Sequence, residues 1–527
     1  MKLRLPDMIG FDAREEHVFA DGSCAEKGDV SAFCRMENGA LGVYLRAQDT
    51  PVEWVTLVWR LRGDDRRSEP VKVFSDCWER GYGDLQWSGV IPHRRMPWAF
   101  AVSNGTDSVP DMRGRFTECF GVKVRPGAVA AWMYEPGRVT LILDVRSGGE
   151  GVVLAGRELA ACRVRMEDYA DQSAFSALKN FYRTLCDDPL LPDFPVYGSN
   201  NWYYAYGKSS RARIIGDARL ISRLSEGLMP RPYMVIDAGW SECPGAGPWD
   251  RGNPDYGHMG TLAGEIASAG AVPGIWVRYL SDEEGRMQDV PPAWRLKRNP
   301  KYLDPSHPEV LRYVREVTQR LSAEWGYRLI KHDFSCFDVF GDWGFRRPET
   351  LTDGGWRFFD QSRTSAEIMA DFYRAVYESA CPGTVILACN VPGFLTAGLC
   401  HINRVGDDTS GREWARTRRM GVNTLAFHAM HDGAFYKADH DCVGITGRIP
   451  WTLNSRWAEL LSFSGTPLFF STQPDVPSPA EFRDISACLV RGASQNHSAV
   501  PLDWMENCCP ERWLLDGTEK TFVWTEN

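Results

Sequence analysis

No run of apolar residues in the 527-residue chain approaches the roughly 20 that a membrane-spanning helix needs, so a helical membrane protein is not expected. No basic block occurs either. Acidic residues number 69 against 60 basic ones, for a net charge of −9, and an acidic chain without a basic patch is a poor binder of nucleic acid. There is no CxxC pair among the 15 cysteines, and none of the usual zinc-ligand spacings. Scattered thiols in odd number read as buried cysteines of a reducing compartment. The N-terminus, MKLRLPDMIGFDAREE, lacks the apolar core of a secretory signal, so the expected location is the cytoplasm. What remains is ordinary globular composition, 43% hydrophobic and 24% charged, which argues against disorder and low complexity. Twenty tryptophans and 18 tyrosines are many, a supply that suits sugar stacking and large cores alike.

The chain divides by pattern. Residues 1–190 carry repeated short strand-like runs, among them 56–61, 128–134 and 139–145, separated by turn signals; this predicts an N-terminal β-sandwich domain. A helix is expected over 175–185, and Pro189, Pro192 and Pro195 mark a boundary. Over 191–475 the pattern becomes strand, loop, helix, repeated. Eight strands are expected at 196–200, 233–237, 272–278, 328–333, 384–390, 401–406, 424–429 and 467–471. Helical spacing follows Ser209 and Ser210, and Ser306 begins a capping-box sequence. Eight alternations predict an α/β fold, a (β/α)8 TIM barrel. Residues 476–527 are left for a last helix near 481–490 and a short C-terminal tail or truncated β-domain.

Catalytic groups of such barrels sit at the C-terminal ends of the strands. Reading off those ends gives Asn201, Trp202 and Tyr203; Asp237 and Trp240; Trp276 and Arg278; Lys331 and Asp333; Cys389 and Asn390; Arg404, Asp407 and Asp408; and, on the expected seventh strand, His428 with His431 beyond it. Two carboxylates facing each other across the mouth are what glycoside hydrolysis uses. Lys331 lies two residues before Asp333, so both project to one side of a strand, and the lysine charge favours an ionised carboxylate. Each residue has a plainer role open to it: a helix cap or loop acceptor for the aspartates, core packing for the tryptophans. Asp407-Asp408 suits the N-cap of a helix over 411–420. The joint arrangement at successive strand ends carries the catalytic reading.

Four motifs resemble retaining α-galactosidases of glycoside hydrolase family 36, whose clan includes families 27 and 31. They are Asn201-Trp202-Tyr203, Ile236-Asp237-Ala238-Gly239-Trp240, Lys331-His332-Asp333-Phe334 and Arg404-Val405-Gly406-Asp407-Asp408-Thr409. The resemblance covers the barrel and extends more weakly to Asp76-Cys77-Trp78-Glu79-Arg80-Gly81-Tyr82-Gly83-Asp84 ahead of it. It implies Asp333 as nucleophile and Asp408 as acid/base. It implies Asp237, Lys331, Arg404, Asp407, Cys389 and Asn390 at the sugar, with Trp202, Tyr203, Trp240 and Trp276 shaping the pocket and the run 78–84 closing one wall. The chemistry requires no metal or organic cofactor, and the implied partner is an oligosaccharide or glycoconjugate.

Two departures bear on the sugar. The second aspartate of the strand-2 pair is Ala238 here, and Gly393 stands where related enzymes are bulkier. Gly393 is therefore expected to leave space beside the strand-5 loop for a 2-amino or 2-acetamido group. Galactose is the first expectation; N-acetylgalactosamine and galactosamine are the alternatives. Rival readings are a metal-dependent carbohydrate deacetylase or hydrolase built on His428, His431 and Asp439, a sugar-binding protein without catalysis, and a transglycosylase.

Overall fold

The computed structural model describes residues 2–526 except 12–17, 20–22, 62–69, 108–110, 136, 244, 284, 286–289 and 342–352. The N-terminal part holds two antiparallel sheets. One runs in the order Val129–Glu135, Arg138–Asp144, Trp54–Arg60, Met8–Gly10, Val18–Phe19. The other has seven strands, from Cys24–Lys27 at one edge to Lys72–Ser75 at the other. Their facing aromatics meet: the Trp132 ring lies 5.7 Å from Phe100 and 6.2 Å from Phe120, and those two phenylalanines stack at 4.5 Å. Helix Ala174–Arg183, capped by Ser173, leads out of this part.

The second part is a parallel sheet curled into a TIM-like barrel. Its strands are β1 (Tyr197–Asn200), β2 (Tyr233–Ile236), β3 (Val272–Val277), β4 (Leu329–His332), β5 (Val385–Ala388), β6 (Ile402–Arg404), β7 (Lys437–Asp439), β8 (Val443–Ile445) and β9 (Leu468–Thr472). The order is β7-β6-β5-β4-β3-β2-β1-β9-β8. β7 and β8 lie at opposite ends of that order, yet only His440, Asp441 and Cys442 separate them in the chain. The chain itself thus bridges the two ends of the sheet. Strand alternation decides what faces inward. On β4, His332 turns outward to ring contacts with Phe372 and Tyr373 of helix Ser365–Ser379. Lys331 therefore points into the barrel.

Seven of the eight expected strands match observed ones to within a few residues. The exception is 424–429. Thr424–His428 is helical and continues Trp414–Thr417 through a π turn at Arg418–Asn423; the strand that follows β6 is Lys437–Asp439. A six-residue apolar run does not tell a buried helix from a buried strand. The π turn aims Asn423 at the N-terminal part: its amide donates to Leu85 O at 2.8 Å and accepts from Leu85 N at 3.2 Å. The cap of Pro308–Gln319 is His307 rather than Ser306; its Nδ1 accepts from Glu309 N at 3.2 Å. After helix Pro479–Ser494 the chain ends in a small sheet, Ala499–Pro501, Arg512–Leu515 and Thr518–Thr521.

β1 needs a glycine. A Cβ on Gly198 would stand 2.0 Å from the Tyr233 carbonyl oxygen of the paired β2 backbone, which cannot yield without breaking the ladder. Gly198→Ala should cost about 2–3 kcal/mol of stability, read as a lowered urea midpoint; an unchanged midpoint would mean that β1 and β2 do not approach so closely.

Candidate active site

The C-terminal ends of β2 to β5 assemble one charged cluster. Asp237 follows β2 and Lys331 lies on β4; Lys331 Nζ donates to Asp237 Oδ2 at 2.7 Å, with both side chains buried. Asn200 Nδ2 donates to the same oxygen at 2.7 Å. Asn201 Oδ1 accepts from Asp237 N at 2.7 Å, and Asp237 Oδ1 accepts from Ala238 N at 2.8 Å. The two asparagines that end β1 thus orient the aspartate that ends β2. Burial works against the charge of Lys331, but Asp237 overrides it and keeps the ammonium protonated.

Asp333 ends β4 beside this pair and is buried. Its Oδ1 accepts from Phe334 N at 2.7 Å and from Asn390 Nδ2; its Oδ2 accepts from Trp276 Nε1 at 2.9 Å. Burial would raise its pKa. The Lys331 charge, the bonds from Trp276 and Asn390, and the charge of Arg80 outweigh burial, so Asp333 is held below the ordinary carboxylate value. Oδ1 carries two donors and Oδ2 one, which leaves Oδ2 the more available for a new bond.

The second half of the site hangs on Arg404, the last residue of β6. Its Nε donates to Asp439 Oδ2 at 3.0 Å, its Nη2 stands 2.6 Å from Asp441 Oδ1, and its Nη1 donates to Asp408 Oδ1 at 3.3 Å. Asp408 is the open member of the trio, with 46% of its side chain exposed against 2% and 1% for Asp439 and Asp441. Crowding by protein and the charge of Asp441 push Asp408 up to about 6, against the pull of Arg404 and Lys331. Solvent at its open side screens part of these effects. The Lys331 charge bears on Asp333 and Asp408 alike.

Asp407 has a different environment. Its Oδ1 accepts from Arg80 Nη2 at 3.1 Å, its Oδ2 accepts from Arg416 Nη2 at 2.8 Å, and the two arginines hold it below the ordinary value despite burial. Its backbone N–H donates to Gly81 O at 2.8 Å, and Gly81 N donates to Val405 O at 2.9 Å. Asp407 is thus a docking point for the N-terminal run 79–84. Asp407 and Asp408 do not cap a helix over 411–420, since the helix begins at Trp414.

Other expected site residues sort as follows. Trp276 is a donor to Asp333 rather than only a wall. Trp240 is fully buried; its Nε1 donates to Trp276 O at 2.7 Å and its ring packs on Trp249 and Trp325, so it supports Trp276 from behind. Tyr203 is buried too, and its hydroxyl donates to Asp441 Oδ2, an oxygen that also accepts from Thr409 N at 2.7 Å and Thr409 Oγ1 at 2.9 Å. Trp202 is partly exposed at the end of β1, its N–H donating to Asn200 Oδ1 at 2.8 Å. Cys389 is buried, and burial with the nearby Asp333 charge keeps its thiol protonated. Arg278 is taken up by buried Asp338 and covers the Phe334 ring at 4.7 Å.

Two expectations fail. A Cβ on Gly393 would meet Tyr436 Oη at 2.6 Å and Asn403 Nδ2 at 2.9 Å, so the glycine fills a tight contact instead of opening space for a 2-substituent. His428 and His431 meet Asp76, not Asp439, which belongs to Arg404. Arg80 and Asp76 are important here and were not singled out as site residues from sequence. Arg80 and Asp76 lie in the conspicuous run 76–84, the one signal that pointed toward them.

Comparisons by sequence with known families and with curated proteins find no match. Solved structures do match. An α-galactosidase from Thermus thermophilus in complex with p-nitrophenyl α-D-galactopyranoside superposes at a TM-score of 0.60 with 16% identity, covering 94% of this chain and 98% of that one. This chain shares its fold with family 36 α-galactosidases. The family 36 α-galactosidase AgaA from Geobacillus stearothermophilus, in complex with stachyose, gives 0.60 and 14% over 92% of this chain and 71% of its own. A family 31 α-xylosidase from a soil metagenome, complexed with xylose, gives 0.54 and 12% over 95% and 84%. One fold therefore carries more than one sugar specificity, and specificity has to be argued from side chains.

Tyr203 tests whether the aromatics of β1 are tethers or sugar platforms. Tyr203→Phe leaves buried Asp441 short of a donor and should lower stability by about 1–3 kcal/mol, measured by chemical denaturation. A rise in KM at unchanged stability would instead assign Tyr203 to substrate.

Proposed function

We propose that the protein is a retaining, exo-acting α-glycoside hydrolase that releases terminal α-linked galactose-type sugars from oligosaccharides or glycoconjugates. The observation that carries this reading is the split between two carboxylates at one end of the barrel. Asp333 is held ionised, and Asp408 is pushed up to about 6. Carboxylates with separated pKa values are the acid and nucleophile of glycoside hydrolysis.

Asp333 Oδ2 bonds to the anomeric carbon as the bond from that carbon to the leaving oxygen breaks. The proton of Asp408 goes to that oxygen. Asp408, now a carboxylate, takes a proton from water, whose oxygen attacks the anomeric carbon and frees Asp333. Asp237 and Lys331, fixed by Asn200 and Asn201, offer an acceptor and a donor to ring hydroxyls. The fold shared with α-galactosidases supports galactose as the first sugar to test. The 2-acetamido alternative has lost its footing: Gly393 opens no space, and Asn390 is engaged by Asp333.

With a panel of aryl α-glycosides, the α-galactoside should be turned over fastest, with retained configuration in the first-formed sugar by NMR. Asp333→Ala should abolish turnover of every substrate. Asp408→Ala should slow poor leaving groups far more than activated phenols, and azide should restore its rate by giving a glycosyl azide. Rescue of Asp407→Ala in place of Asp408→Ala would move the acid/base by one residue.

The pH profile follows from the same split. The nucleophile must be ionised and the acid protonated. kcat/KM should therefore hold at mildly acid pH and fall about tenfold per unit above about 6, where Asp408 loses its proton. Trp276→Phe removes a bond to the charged form of Asp333, so the acid limb should move to higher pH while the alkaline limb stays.

A further inference from the structure

The side of the mouth beyond Asp408 holds a cation that no acid–base step uses. Arg412 follows Asp408 by four residues. Its backbone N–H donates to Ser410 Oγ at 2.9 Å, and that of Glu413 donates to the same oxygen at 3.0 Å, which fixes the turn. The guanidinium of Arg412 lies 4.2 Å from the centre of the Tyr206 ring. Arg416, the next arginine, is taken by Asp407. Arg412 is exposed and has no carboxylate partner among the described residues. A guanidinium stacked on a ring is pre-oriented, and its unused N–H groups form a planar fork.

Tyr206 is held under that arginine by a strained backbone. Its φ of 46° and ψ of 51° lie in the left-handed region, which a bulky side chain rarely adopts. It ends the single turn Trp202–Ala205 that follows β1, its N–H donating to Trp202 O at 2.7 Å, and the two rings lie 5.3 Å apart. Both rings are partly exposed, and both pack on the barrel interior where Tyr203, Cys389 and Cys442 meet. Burial raises the pKa of the Tyr206 hydroxyl; the Arg412 charge opposes that shift and the Asp408 charge adds to it, so both charges lie near the ring. Strained residues of this kind gather at ligand sites.

We propose that Trp202, Tyr206 and Arg412 bind the leaving part of the substrate, and that this part carries a carboxylate or phosphate group which Arg412 pairs. The inference rests on the hydrolase reading with Asp408 as the acid. An acid gives its proton to the leaving oxygen, so the leaving part lies on the acid's open side. Asp237, Lys331 and Asp333 take the released sugar, whereas the half-exposed side of Asp408 faces the rim of Tyr206 and Arg412. The two partly exposed rings offer apolar faces to a sugar. The planar fork of the arginine matches two oxygens of a carboxylate or a phosphate. A neutral leaving sugar would use the rings and leave the arginine without a partner.

The test uses three disaccharides in which the sugar cleaved best in the aryl panel is α-linked to glucose, to glucuronate or to glucose 6-phosphate. The full-length protein should cleave at least one of the two anionic substrates roughly tenfold better in kcat/KM than the glucose one, the size expected of a charge-assisted bond. Whichever anion leads tells carboxylate from phosphate. Arg412→Gln should bring that ratio to about one, Arg412→Glu should turn it below one, and Arg412→Lys should keep part of it. Added salt should shrink the wild-type preference, because the pair is exposed. Wild-type ratios near one for both anions overturn the inference, as does a preference that survives Arg412→Gln, or cleavage of aryl glycosides with none of the three disaccharides. In each of those cases turnover of the aryl glycosides leaves the hydrolase reading standing. No turnover of any substrate, the aryl glycosides included, overturns that reading and this inference with it.

Discussion

Arg404 is the charge around which the barrel end is organised. It closes β6, and its register partner on β7 is Asp439, which it binds directly. It also reaches Asp441, in the three-residue joint by which the chain passes from one end of the sheet to the other. One guanidinium therefore holds the place where the curled sheet meets itself. A single cation facing three carboxylates cannot neutralise them all. Asp439 and Asp441 are buried and take the short contacts, and Asp441 is further satisfied by Tyr203 and Thr409. Asp408 has only the long contact with Arg404, so crowding by protein and the charge of Asp441 win there and raise its pKa. In the proposed reaction the structural demand of closing the barrel is also what keeps an acid protonated near its mouth.

The opposite sign rules on β4. There the cation, Lys331, is not outnumbered in the same way: Asp237 takes its direct bond, and Asp333 gains its field plus three hydrogen-bond donors from three different segments. Those donors sit on β3, on the backbone after β4 and on the loop after β5. Trp240 braces Trp276 through its carbonyl. An ionised carboxylate fixed from three directions pays little reorganisation when it reacts.

Much of this was legible in the sequence because a barrel ties chemistry to strand ends, and seven strands announced themselves as short apolar runs. The last barrel turn was misread for a physical reason. Thr424–His428 is buried on all sides and so lacks the exposed polar face that marks a surface helix, while β7 is only three residues long and begins with a lysine that pairs with Asp432. Tryptophans were harder still. Residue type does not tell a sugar platform from a hydrogen-bond donor or a brace, and only the contacts of Trp240 and Trp276 separate them. Gly393 was misjudged because a missing side chain reads as space, whereas here the space is filled by Tyr436 and Asn403. Arg80, which binds Asp407, and Asp76, which binds His428, lie in the N-terminal run 76–84, more than 300 residues away in sequence, so periodicity and spacing had no access to them.

Asp407 and Asp408 make the point most economically. They are neighbours of one chemical type, and in the sequence only the resemblance of the run Arg404–Thr409 to family 36 set Asp408 ahead of Asp407. Asp407 turns toward two arginines, Arg80 and Arg416, and is held ionised as an anchor. Asp408 turns toward an arginine already committed to two other carboxylates and is pushed the other way. The run around Arg80 thereby acts on the site twice. It occupies Asp407, leaving Asp408 as the carboxyl of the pair with a raised pKa, and its charge helps hold Asp333 low. The acid–base split proposed for this barrel is thus not a property of the barrel alone: it depends on a segment from the N-terminal part, docked through Gly81 and Asp407 onto the end of β6.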